Sequence, residues 1–158
     1  MTNGNTAKKP TAVLQTGLLH DAFGHLFRRC HLRSQQAFAR AFEGSDLSPL
    51  QYGIMELVLL NPGITHGELA EGMVTAPSVV TTAMKPLRRI GFLVPQSSSA
   101  DARRCGYTLS AAGEAYFAAL RGQILAAEDL LVGALNESER RTLMRLLRRV
   151  AAGAKLQS

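Results

Sequence analysis

The stretch Thr65-His66-Gly67-Glu68-Leu69-Ala70-Glu71-Gly72-Met73, continuing through Ala76-Pro77-Ser78-Val79-Val80-Thr81-Thr82-Ala83-Met84-Lys85-Pro86-Leu87-Arg88-Arg89-Ile90-Gly91, decides the architecture. Thr65 and Glu68 have capping-box spacing, in which a hydroxyl and a carboxylate each satisfy a free amide at a helix start. A short helix therefore opens there and runs through Met73, and a turn near Val74-Thr75 closes it. The next helix is expected from Ala76 to Ile90, with Gly91 as its C-terminal stop. Beyond Gly91 the period changes. Phe92-Leu93-Val94-Pro95 and Arg104-Cys105-Gly106-Tyr107-Thr108-Leu109 are strand-like and flank a polar tip from Gln96 to Arg103, which predicts a hairpin. A short capped helix, a tight turn, a second helix and a hairpin make the layout of a winged helix-turn-helix. In such a unit the second helix lies in the major groove of DNA while the hairpin tip reaches along the backbone into a minor groove.

Working outward, Ser48-Pro49 with Gln51 is another helix start, and the helix it opens runs from Pro49 to about Leu60, where Asn61-Pro62-Gly63 stops it. Upstream, Leu19, Phe23, Leu26, Cys30, Ala37 and Ala41, with Leu18, Phe27, Phe38 and Phe42 beside them, recur at helical steps. They predict one long helix from Leu14 to Gly44-Ser45-Asp46. Downstream, Ser110 caps a helix over Ala111 to Leu135 with Phe117, Leu120, Ile124, Leu131 and Leu135 on one stripe. Asn136 and Glu139 begin a last helix carrying Leu143, Leu147, Val150 and Ala154. Residues 1–12 lack periodicity and read as a disordered arm. The expected fold is mainly α with a small β-hairpin wing: one domain over residues 13–158, with the winged helix unit at 49–110 and long terminal helices at 13–48 and 111–158.

The 158 residues are 46% hydrophobic, enough for a core, and eighteen Lys and Arg against twelve Asp and Glu give a formal charge of +6. No apolar run approaches the ~20 residues that cross a bilayer, and the start is polar, so a soluble cytoplasmic protein without a membrane partner is expected. Cys30 and Cys105 form no CxxC pair. His20, Asp21, His25 and His31 make no metal cluster, since only Asp21 and His25 share a helix face. GxxxxGK, GxSxG, HExxH and GxGxxG are all missing, so neither an enzyme nor a cofactor is expected.

The segment from Gly67 to Met73, then Ser78 to Leu93, with Asp101-Ala102-Arg103, Leu109-Ser110, Gly113 and the approach Leu47-Ser48-Pro49-Leu50-Gln51-Tyr52, resembles the MarR family of transcriptional regulators (multiple antibiotic resistance regulators). The resemblance runs from about Leu14 to Ala152. It implies a DNA-binding regulator, more commonly a repressor, that acts as a homodimer on a pseudo-palindrome and is released by a small effector such as a phenolic or aromatic acid. Thr75, Ser78, Thr81, Thr82, Lys85 and Arg88 match the DNA-facing side of the family's recognition helix. Arg103 matches the wing residue sent into the minor groove, Asp101 would orient it, and Arg104 would meet a phosphate. Leu69, Val79, Val80, Ala83 and Leu87 are expected in the core. Two features stand out against the family pattern: Pro95-Gln96 stands where many relatives carry an arginine, and Pro86, shared by some, should kink the recognition helix.

The terminal stripes exceed what the winged unit needs and imply a second subunit, with Leu19, Phe23, Phe117, Leu120, Leu131, Leu143, Leu147 and Val150 as interface or core candidates. For an effector, His25, Arg28 and Arg29 would offer positive charge and Tyr52 and Met55 apolar walls. Cys30, on the apolar stripe, is expected to be a buried thiol. The alternatives are a thiol-redox regulator acting through Cys30 and a winged-helix module that binds protein without specific DNA binding. Charge does not decide between them: residues 65–110 carry five basic and three acidic side chains, residues 136–158 six and two. The spacing of Ser78, Thr82, Lys85, Asp101 and Arg103 carries the DNA-binding expectation.

Overall fold

Local capping sets the helix starts throughout the computed structural model, which describes residues 17–97 and 105–153. A single 3-10 turn (Gly17–His20) precedes α1 (Phe23–Ala41). Helix α2 (Pro49–Leu60) opens on Ser48, whose Oγ accepts from the Gln51 amide while Gln51 Oε1 accepts from the Ser48 amide. A two-residue strand β1 (Ile64–Thr65) leads into α3 (His66–Gly72), where Thr65 and Glu68 form the same reciprocal box. Helix α4 (Pro77–Arg89), strands β2 (Leu93–Ser97) and β3 (Cys105–Leu109), and helices α5 (Ala111–Ala119), α6 (Arg121–Val132) and α7 (Glu137–Ala151) follow. Ser110 joins hairpin and α5: its Oγ accepts from the Gly113 amide at 3.1 Å and donates to the Gly91 carbonyl at 2.7 Å.

The three strands lie in the order β1-β3-β2, all antiparallel. Pairing runs from Leu93 opposite Leu109 to Ser97 opposite Cys105. Pro95 fits because β2 is an edge strand, where a missing amide costs no ladder bond on the open side. Gly106 is required by close approach, because a Cβ there would collide with the carbonyl of Gly63, the residue just before β1.

The chain divides into two units at Leu32 and Arg33. The core of the larger unit gathers Ile54, Met55 and Val58 of α2, Leu69 of α3, Val80, Met84 and Leu87 of α4, Leu93 and Leu109 of the hairpin, and Phe117 and Leu120. Phe38 and Phe42 stack with ring centroids 4.0 Å apart and meet Tyr52 edge-on, and Tyr52 in turn leans on Phe117 at 5.0 Å. In the N-terminal unit Leu18, Leu19, Phe23, Leu26 and Phe27 are exposed, Phe23 by 79%.

Several sequence expectations need correction. The long first helix is interrupted at Asp21-Ala22, and its expected start at Leu14 lies outside the described residues, as does the arm at 1–12. The helix expected over Ala111 to Leu135 bends at Leu120, whose amide turns back to the Phe117 carbonyl at 3.1 Å as its side chain enters the core; the helix beyond ends at Val132. Strand β1 was not foreseen, and β2 extends beyond Pro95. Val79 is exposed and Met84 takes the core position instead, in step with Val80 and Leu87. Cys30 is exposed, because the first half of α1 buries no side chain. Among the described residues no helix is long and apolar enough to cross a membrane.

Candidate nucleic-acid interface

Helix α4 is held by one face and open on the other. Val80, Met84 and Leu87 are buried at helical steps, while Ser78, Thr82, Lys85 and Arg89 recur on the opposite, exposed side. Gln51, the buried polar side chain of the core, clamps the helix: its Nε2 donates to the Ala83 carbonyl at 3.2 Å while its Oε1 caps α2. Pro86 has no amide to give the Thr82 carbonyl four residues back, which leaves that carbonyl without its intrahelical partner. The N-cap residue is Ala76, which makes no side-chain bond, so neither Thr75, half-buried, nor Ser78 serves as a cap of α4.

The hydroxyls on this face have defined polarity. Thr81 Oγ1 donates to the Pro77 carbonyl and Thr82 Oγ1 to the Ser78 carbonyl, each at 3.0 Å. A threonine hydroxyl has one proton, so what Thr82 offers outward is an acceptor, complementary to the amino group of adenine or cytosine. Val79, 43% exposed, adds methyl groups suited to a thymine methyl. Lys85 and Arg89 are exposed cations of the kind that would suit phosphates or guanine. Arg88 is placed differently: its guanidinium lies 5.9 Å from the Tyr107 ring centroid, which ties the end of α4 to the wing strand β3. Thr81 also meets His66 Nε2 at 2.8 Å, joining the start of α3 to α4. The wing residues Asp101, Arg103 and Arg104 lie outside the described residues; the structure describes the paired base from which that tip departs.

The remaining candidates belong to both units. His25, Arg28 and Arg29 stand on the first half of α1 in the N-terminal unit. In the larger unit Met55 is wholly enclosed in the core and presents no wall to a ligand. Tyr52 is held among Phe38, Phe42 and Phe117, and burial, with Glu56 beside it, raises its hydroxyl pKa above the ordinary value. A groove of about 400 Å³ is walled by Phe38, Phe42 and Leu47 and rimmed by Gln35 and Glu43, a lining without the cation an aromatic acid would need. Phe117 and Leu120 are buried in the chain's own core and are not free for a partner, whereas Leu131 is half-buried and Leu143, Leu147 and Val150 are exposed. Helix α7 buries no residue at all; Arg140 fastens its start to the Leu135 carbonyl and to Asp129. Among the described residues no three His, Cys, Asp or Glu side chains are grouped to hold a metal.

His66 and Arg89 are members of this surface that the sequence left without a role, and Val79 is one that it assigned to the core. Arg89 could have been found by continuing the helical steps from Ser78, Thr82 and Lys85; His66 has no signal without the contact to Thr81.

No protein-family model matches the chain. A protein of Thauera aromatica described as a transcriptional regulatory protein for the hcr operon is 26% identical over 148 residues, 93% of this chain and 89% of that protein. The transcriptional repressor CouR bound to a 23-mer DNA duplex is 25% identical, covering 87% of this chain and 98% of CouR, with a TM-score of 0.81. CouR bound to p-coumaroyl-CoA superposes with a TM-score of 0.80, at 23% identity over 89% of this chain and 99% of that one. MarR shares the fold at a TM-score of 0.67, with 21% identity over 81% of this chain and 93% of MarR.

Proposed function

We propose that this chain, which has the fold of the MarR-family regulators, is a DNA-binding transcriptional regulator, a repressor that holds a pseudo-palindromic operator as a homodimer and leaves it when a small aromatic effector binds. The observation that carries the reading is the two-sided build of α4. Its buried side is clamped by core packing and Gln51, while Ser78, Thr82, Lys85 and Arg89 stand together on the free side, as groove-reading side chains must. The likeness to DNA-bound CouR supports it over nearly the whole chain. Arg103, with Asp101 and Arg104 in the same tip, is assigned to the minor groove, where a narrow negative channel favours a guanidinium.

Dimerisation is supported by the apolar side chains left open on α7, among them Leu143, Met144, Leu147 and Val150, and separately by those of the N-terminal unit, Leu19 and Phe23. For the effector, Arg28 and Arg29 are exposed guanidinium groups able to pair with a carboxylate. The p-coumaroyl-CoA complex of CouR makes an aromatic acid or its thioester the first class to try.

The reading is tested by gel shift at low salt with DNA from upstream of the protein's own gene. That fragment should be retained in preference to random DNA, Arg103→Ala should weaken binding to every sequence, and Thr82→Ala should chiefly change site preference. No preference for the upstream fragment would refute the reading. Thermal melts with aromatic acids, their thioesters and an oxidant then identify the effector class: a bound ligand raises the melting temperature, and an effect of oxidant abolished by Cys30→Ser would favour the thiol alternative.

A further inference from the structure

His66 is a side chain that neither the core nor the reading face of α4 accounts for. It is the first residue of α3, half-buried, and its Nε2 lies 2.8 Å from Thr81 Oγ1. The Thr81 hydroxyl also reaches the Pro77 carbonyl at 3.0 Å, and when it gives its one proton there it accepts in the contact with His66 and the imidazole donates. In that arrangement Nε2 carries a proton. Nδ1 then carries either a lone pair, in the neutral ring, or a second proton, in the imidazolium; among the described residues it has no hydrogen-bond partner. In a helix-turn-helix the first helix crosses the DNA backbone while the second enters the groove. The His66–Thr81 bond marks where these two helices meet. On the DNA-binding reading, a group at that junction would lie near phosphate oxygens, which accept hydrogen bonds and repel a lone pair.

We propose that His66 is a phosphate-contacting residue of the DNA interface that works as the imidazolium, one N–H fixed on Thr81 and the other given to a backbone phosphate. The inference rests on the DNA-binding reading and adds a proton to it. Binding a phosphate favours the charged ring, so affinity should rise as pH falls. The charged side chains on the helices packed together here are Glu68 and Glu71 on α3, Lys85, Arg88 and Arg89 on α4 and Glu56 on α2. Of these, Glu68 has its Oε2 engaged by the Thr65 amide and hydroxyl.

The test is the dissociation constant for the upstream DNA, read by fluorescence anisotropy from pH 5.5 to 8 at fixed ionic strength, for wild type, His66→Gln and His66→Lys. Binding by wild type should tighten several-fold toward pH 5.5. Glutamine keeps a donor for Thr81 but cannot titrate; it should stay within about twofold of wild type at pH 8 and lose the tightening. Lysine carries its charge at every pH used and should bind at pH 8 several-fold more tightly than wild type. Identical pH profiles for wild type and His66→Gln, or no gain from lysine at pH 8, would overturn the role of His66 while leaving the regulator reading intact. Absence of sequence-preferring DNA binding by wild type at every pH would overturn that reading and the inference with it.

Discussion

Arg88 and Arg89 adjoin in sequence yet have different surroundings. Arg88 lies over Tyr107 of the wing strand, while Arg89 continues the exposed row of Ser78, Thr82 and Lys85. Removing Arg89 should therefore weaken DNA binding in a salt-dependent manner, reducing the slope of log affinity against log salt by about one per protomer, as loss of one phosphate contact does. Arg88→Ala should keep more of that slope and instead loosen the wing against α4, visible as a lower melting temperature. A salt titration of both variants separates the two roles. Tyr52 makes a different residue-scale prediction. Its ionisation is disfavoured in the folded protein by burial and by Glu56, so the folded state holds the phenolic proton to higher pH than the unfolded chain does. The stability concerned is fully present below the ordinary tyrosine value of 10.0 and is lost as pH rises through the raised one. Tyr52→Phe should lose less stability than wild type between pH 9 and 11 in thermal melts.

At the scale of elements, the turn between α3 and α4 stands out. Val74 sits at φ 50°, left-handed backbone that a β-branched side chain adopts at a cost of about 1–2 kcal/mol, and its side chain is 92% exposed, so packing gives nothing back. Val74→Asn should stabilise the protein by about 1 kcal/mol, measured by denaturant unfolding, because asparagine tolerates this region. If stability is unchanged or falls, the turn is not strained as described. The helix starts were legible in the sequence because capping is local: Ser48 with Gln51, Thr65 with Glu68, and Asn136 with Glu139 each needed only residues three apart. Strand β1 was not legible, since two residues carry no period and Ile64 and Thr65 become a strand only by pairing with Tyr107 and Gly106. The break at Leu120 escaped for a related reason: the residue keeps helical backbone angles, and its burial in the core is a tertiary fact that no local spacing carries. On α4, Val79 was assigned to the core from its apolarity alone, whereas phase along the helix puts Met84 there.

For the whole molecule, the pattern of exposure is the informative quantity. Helix α7 has apolar side chains at Leu143, Met144, Leu146, Leu147 and Val150 and buries none of them within the chain, and the N-terminal unit leaves Leu18, Leu19 and Phe23 open. Such surface is costly unless a second copy covers it. Leu147→Glu should shift the protein from dimer to monomer in sedimentation velocity and weaken operator binding, since two tethered reading helices outbind one. The charge falls into place at this scale too. Arg140, Arg141, Arg145, Arg148 and Arg149 all lie on α7 rather than on α4, so on the proposed reading the surplus would assist general attraction to DNA without sequence preference. The most direct test of the account is selection of binding sites by the wild-type protein from a pool of randomised duplex DNA. The expected result is enrichment of an inverted repeat whose half-site centres are about one helical turn, ~10 base pairs, apart; recovery of no common sequence would contradict the central claim that α4 reads DNA from a two-fold dimer.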